Sequence, residues 1–169
     1  MKIFKRESLF FIFFVLQVPF INAQEADWTQ LKVLQSTRSD VEKILGQPYE
    51  KPNNSFFASY RAKNGNVHVE YSLRLCEAND KGGWNVERGT VIDISFFPDI
   101  YPTVKSLKLD KKKYKKVIEG DVTDIFTYKN DEDGIKYIVQ RGKVETIVYY
   151  PRVKFDWLQC SVINQNSIK

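Results

Sequence analysis

The chain has one histidine, one methionine and two cysteines among its 169 residues. With a single imidazole, any histidine-based triad has to be built around His68. Cys76 and Cys160 show neither a C-x-x-C spacing nor a neighbouring histidine, which argues against a catalytic or redox thiol. No apolar run approaches the ~20 residues of a membrane helix; the longest, residues 9–16, has eight. A strong excess of one charge is also missing. Lys and Arg number 26 against 21 Asp and Glu, for a net +5, too slight a surplus for a face that tracks phosphates. Nucleic acid is therefore not an expected partner, and no residue cluster implies a cofactor or a metal.

What is present begins at the amino terminus. Lys2, Lys5 and Arg6 precede the apolar run, and Ala23 supplies a small residue at a cut before Gln24. This is the order of a secretory signal, so residues 1–23 read as a signal peptide and 24–169 as a single exported domain, periplasmic or secreted. No cysteine stands at the cut, so a lipid anchor is not expected, and no membrane span remains after signal removal. The remainder carries 23 basic and 20 acidic residues, +3 over 146. In an oxidising compartment Cys76 and Cys160 are expected to pair, and closing so long a loop contributes up to about 4–5 kcal/mol in the chain-entropy model.

An internal repeat organises the rest. Residues 87–98 (ERGTVIDISFFP) and 140–151 (QRGKVETIVYYP) align at an offset of 53, sharing Arg, Gly, Val, Ile and Pro in register. Each copy reads as a strand entered from a tight glycine turn. Upstream, Tyr60 and Val67 align with Tyr128 and Ile135 at an offset of 68, so the first half carries a 15-residue insert, residues 72–86, containing Cys76 and Trp84. A helix signal opens each half. Thr37 and Asp40 suggest a capping box, Val41, Ile44 and Leu45 form an apolar stripe, and Gly46 with Pro48 ends the helix. In the second half Asp110 is the cap, Tyr114, Val117 and Ile118 the stripe, and Gly120 the stop. The fold expected is α+β: two tandem copies of a short helix followed by a three-stranded antiparallel meander, packed as one domain with a curved sheet. The first half covers about 28–98 and the second about 105–160.

The segment Ser36 to Pro48, STRSDVEKILGQP, resembles the opening of the SmpA/OmlA (BamE-like) family and the related tandem fold of the β-lactamase inhibitory protein. The chain is also similar to exported bacterial proteins that share the helix motif, the tyrosine strands and a late cysteine. The resemblance implies an antiparallel sheet behind the capped helix and an envelope-associated or inhibitory role, and it supplies no activity.

Candidate sites are few. On the strand around Val67–Tyr71, alternation puts His68 and Glu70 on one face, where a general base held by a carboxylate is conceivable. Glu70, Asp93 and Glu145 are carboxylates on strands. The acidic turn Asn130 to Gly134 lacks EF-hand spacing and reads as a hairpin connection. Lysines 105, 108, 111, 112, 113, 115 and 116 make the densest charge cluster, suited to an acidic partner or an anionic envelope surface. Trp84, Tyr149 and Tyr150 are aromatic candidates for protein recognition, joined by Lys111, Lys112 and Lys115 on charge. The expected function is a non-enzymatic exported binding or envelope-associated module whose partner is another exported protein or that surface. The alternatives are a secreted hydrolase centred on His68 and Glu70, and an inhibitor of a secreted enzyme.

Overall fold

The computed structural model describes residues 27–50, 56–77, 80, 82–118 and 124–161. The expected signal peptide, residues 1–23, lies outside the described residues. Seven antiparallel strands form one sheet in the order β1 (Phe57–Ala62), β2 (Gly65–Tyr71), β3 (Val91–Pro98), β7 (Lys143–Tyr149), β6 (Ile135–Gln140), β5 (Ile125–Asn130) and β4 (Lys115–Ile118). Two meanders thus meet at a seam between β3 and β7.

The seam has three residue pairs: Ile94 with Tyr149, Ser95 with Val148, and Phe96 with Ile147. At the sequence offset of 53, Ile94 corresponds to Ile147 and Phe96 to Tyr149, so the pairing is reciprocal about Ser95 and Val148. Trp28 closes the seam from above. Asp27 caps its 3₁₀ turn, Trp28–Gln30, through the Thr29 amide, and the indole stacks on Phe96 at 4.8 Å and meets the edge of Tyr149 at 5.3 Å. One side chain therefore touches both meanders.

The helix α1 (Arg38–Leu45) forms as its caps dictate. The Thr37 hydroxyl accepts from the Asp40 amide at 3.3 Å, and Asp40 accepts from the Thr37 amide at 2.8 Å. At the other end Gly46, at φ 80°, donates to the Glu42 carbonyl. Val41 is fully buried beneath α1, with Ile44 and Leu45 at the margin of the same core as Tyr60, Val67, Val69, Tyr71, Ile94 and Phe96. Within that core the Tyr60 and Tyr71 hydroxyls bond each other at 2.8 Å, so neither is left unsatisfied.

The tandem helix-plus-meander plan is overturned in the second half, where the expected helix is absent. The Asp110 cap forms, since its carboxylate accepts from the Lys112 amide and its carbonyl from those of Lys113 and Tyr114, but propagation stops after that turn. Residues 115–118 then pair as β4 along β5, all four of them exposed. Two physical reasons favour the strand. A helix through Lys111, Lys112, Lys113, Lys115 and Lys116 would stack like charges at i, i+3 and i, i+4, and adjacent β-branched Val117 and Ile118 have low helix propensity. The edge of β5 also offers a row of backbone groups to pair with. The result is a strand-rich fold with one α-helix among the described residues.

Because β3 and β4 stand four places apart in the sheet, residues 99–114 must carry the chain past β7, β6 and β5. Thr103 bridges to Lys143, and Tyr114 lies 5.7 Å from the Tyr137 ring. Register places Tyr137 opposite Ile147, on the face that carries Phe96, so the crossover runs over the same face as α1. If Trp28 seals the seam, Trp28→Ala should lower the unfolding free energy by about 3–5 kcal/mol, measured by urea denaturation. A loss below about 1 kcal/mol would show that the strand pairs suffice without it.

Candidate functional site

The disulfide Cys76–Cys160 is present, with Cα atoms 5.2 Å apart. It pins loop 72–90, the connection from β2 to β3, against the segment after β7. At its base, the Ser72 amide donates to the Thr90 carbonyl, the Gly89 amide to the Ser72 carbonyl, and the Ser72 hydroxyl to the Glu87 carbonyl. At its tip, the Asn85 amide donates to the Leu158 carbonyl and the Cys160 amide to that of Gly83, and Trp84 bridges to Gln159. The Asn85 side chain in turn accepts from the Cys76 amide at 3.2 Å. Backbone, side chain and covalent bond all hold the same loop.

Arg74 adds a clamp inside the loop, donating both guanidinium nitrogens to Asp80 at 3.1 Å each and reaching Glu77 at 2.8 Å. The Asp80 carboxyl is held below its ordinary range, first by the Glu77 amide and then by Arg74. Arg74 is flanked by Leu73 and Leu75, which stand 55% and 54% exposed. They edge a depression of about 250 Å³ whose apolar lining includes Phe56, Tyr71, Trp84 and Ile92. An exposed leucine alone is ordinary; here two of them stand together beside an apolar depression, which makes a patch.

The sequence-derived candidates divide among separate places. Trp84 is half-buried beside the disulfide and lines this depression. Tyr149 sits half-buried under Trp28, and Tyr150 donates its hydroxyl to Asp131 at 2.8 Å; these two line a different cavity. Lys111 and Lys112 are on the exposed turn before β4, and Lys115 is on β4 itself. Lys112 and Lys115 border a third hollow that also contains Asp131 and Glu132. The aromatic and basic candidates therefore do not make one site. Leu73 and Leu75 escaped the sequence reading, although two leucines flanking Arg74 in the insert were the available signal.

His68 and Glu70 do share a face, opposite buried Val67, Val69 and Tyr71. His68 lies in register between Ser59 and Ser95, and Glu70 between Phe57 and Asp93. The imidazole rests against Phe97, with ring centroids 4.6 Å apart, and among the described residues it hydrogen-bonds neither Glu70 nor Asp93. Ser95 instead donates to Asp93 at 3.1 Å, and Ser59 to Glu50 at 3.1 Å. An imidazole without an orienting carboxylate, between serines that point their protons at other acceptors, lacks the relay a nucleophilic serine needs. Glu145 stands on β7 outside its paired stretch with β3, apart from Glu70 and Asp93. The acidic turn 130–134 forms the β5 to β6 hairpin, where Asn130 and Asp133 bond each other. Among the described residues no group of three or more His, Cys, Asp or Glu side chains is placed to hold a metal ion, and no helix is long and apolar enough to cross a membrane.

No protein-family model matches the chain, and neither a curated protein nor a solved structure matches it.

The most perturbed carboxyl on the face of His68 is Asp93, pushed up to about 6 by burial, with Glu70 adding to the rise and the Ser95 bond and Lys136 opposing it. Its folded value lies above its ordinary 3.8, so folding takes up a proton between 3.8 and about 6. Stability therefore falls as pH rises through that window and is level above it. Asp93→Asn keeps an oxygen to accept from Ser95. It should be more stable than the parent by about 2 kcal/mol near pH 7 and equal to it below about pH 3.5, by thermal melts across pH. A pH-independent gain would reject burial of this carboxylate as the cause.

Proposed function

We propose that the chain is an exported, non-enzymatic binding module whose contact surface is loop 72–90. The observation that carries this reading is the pair Leu73 and Leu75, both more than half exposed yet held on a loop fixed by the disulfide and by Arg74. Apolar side chains flanked by the disulfide and the Arg74 clamp bury area on contact without a large ordering cost, which suits them to recognition. Arg74, Glu77 and Asp80 supply the polar surround that such contacts require. Export to the periplasm or beyond rests on the signal-like residues 1–23 and agrees with a disulfide. The resemblance of residues 36–48 to the SmpA/OmlA (BamE-like) opening supports an envelope-associated setting. The partner is another exported protein with an apolar contact patch.

A photo-crosslinker placed at Leu75 in the producing cells tests this directly. One discrete adduct is expected. Its yield should fall by at least about tenfold in Leu73→Asp, because a charge placed in an apolar contact is desolvated without a partner. It should also fall in Cys160→Ser, which leaves Leu73 and Leu75 in place but removes the covalent tie of the loop. A crosslinker at Leu75 that yields no adduct, or an adduct unchanged by both substitutions, would sink the reading. An adduct that proves to be a secreted enzyme, losing activity on binding, assigns the module as its inhibitor.

A further inference from the structure

A second cavity shares no lining residue with loop 72–90. It measures about 450 Å³ and is formed where residues 29–35, the β5 to β6 turn and the segment after β7 converge. Its volume falls within the range of small-molecule sites, about 300–1,000 Å³. Leu31, Val33, Tyr149 and Phe155 give it an apolar lining. Lys32, Arg152 and Lys154 stand exposed around it, and among the described residues none of the three pairs with a carboxylate. Lys154 lies 5.0 Å from the Phe155 ring centroid, which couples a cation to the apolar wall. The one carboxylate in the lining, Asp133, is already engaged by the Asn130 side-chain amide at 2.7 Å.

The walls are built rather than incidental. Tyr150 donates its amide to the Gly134 carbonyl at 2.9 Å and its hydroxyl to Asp131. Gly134, at φ 63°, permits that approach, since a Cβ there would come within 2.3 Å of the Tyr150 carbonyl and 2.9 Å of Arg152 Cγ. Tyr149 is fixed from the far side by Trp28. A cavity of mixed lining, with an apolar wall at Leu31, Val33, Tyr149 and Phe155 and three cations around it free of carboxylate partners among the described residues, is complementary to a molecule with an apolar body and a negative end.

We propose that this cavity binds an amphipathic anion, an acyl or aromatic body carrying one carboxylate or phosphate, with Lys32, Arg152 and Lys154 meeting the anion. The ligand is either a free amphiphile or the same chemistry presented by a lipid in a bilayer. Purified full-length chain titrated with decanoate, decanol and decylamine by calorimetry tests it, with anionic and zwitterionic phospholipid vesicles as a sedimentation arm. Saturable one-to-one binding of decanoate is expected, weaker by at least about tenfold for decanol and for the Lys32→Glu, Arg152→Glu, Lys154→Glu triple variant. These three side chains are exposed, so the variant should keep the parent's circular dichroism, and Phe155→Ala checks the apolar half independently with a several-fold loss. Decanoate binding assigns a free ligand. Retention on anionic vesicles alone, lost in the triple variant, assigns a bilayer lipid. No binding in either arm, decanol binding as tightly as decanoate, or a natively folded triple variant with unchanged affinity would overturn the proposal.

Discussion

Three residue pairs between β3 and β7, roofed by one tryptophan, hold a three-stranded and a four-stranded meander in a single sheet. Each meander alone would end in an open edge at its most apolar strand, and small antiparallel units of this size rarely bury enough area to persist. Joining them places Ile94, Phe96 and Tyr149 at the centre and pushes the vulnerable edges outward. At one outer edge, β1 is partly covered by Glu50, which exchanges backbone bonds with Ser59 together with Tyr49. At the other, β4 is only four residues long and opens with two lysines, features that discourage further strand addition. The lead-in carrying Trp28 is therefore as much a part of the sheet's integrity as any strand.

The two faces of that sheet have different chemistry for the same reason. One face receives α1, the Trp28 segment and the crossover, and holds the tyrosine-rich core in which Tyr60 and Tyr71 satisfy each other. Burial pushes the Tyr60 and Tyr71 hydroxyls above their usual range, which keeps both neutral at any ordinary pH. The other face carries Ser59, His68, Glu70, Asp93 and Ser95 in two cross-strand rows of the first meander and turns apolar past the seam, where Val148 is buried in register with Ser95. In those rows Ser95 donates to Asp93, Ser59 donates to Glu50 beside β1, and His68 packs on Phe97.

How much of this was legible depends on how local each signal was. In α1, a cap, a stripe and a stop coincide within ten residues, so Thr37, Asp40, Val41 and Gly46 suffice to place it. Strands β3 and β7 were equally plain from Gly89 and Gly142 followed by alternating apolar residues. Tyr114, Val117 and Ile118 misled because three apolar positions in five fit a helix stripe, and the tie was broken by β5, a partner further along the chain. The disulfide followed from compartment and cysteine count. Leu73 and Leu75 were illegible as a contact surface because exposure is decided by what the rest of the fold leaves uncovered. The amphiphile cavity was hidden more deeply, since residues 29–35, 133–134 and 149–155 are brought together only by the strand order.

The bridge between Cys76 and Cys160 spans 84 positions and encloses β3, β4, β5, β6 and β7 in one covalent ring. Tension applied at the two ends of the chain passes through the sulfur atoms and bypasses everything between them. Only the lead-in, α1, β1 and β2 can be drawn out by such a pull, while the strands inside the ring cannot be extended. A break in the exposed crossover would likewise leave both pieces on the same molecule. The oxidised chain thus behaves under force as a short extensible arm attached to an inextensible loop.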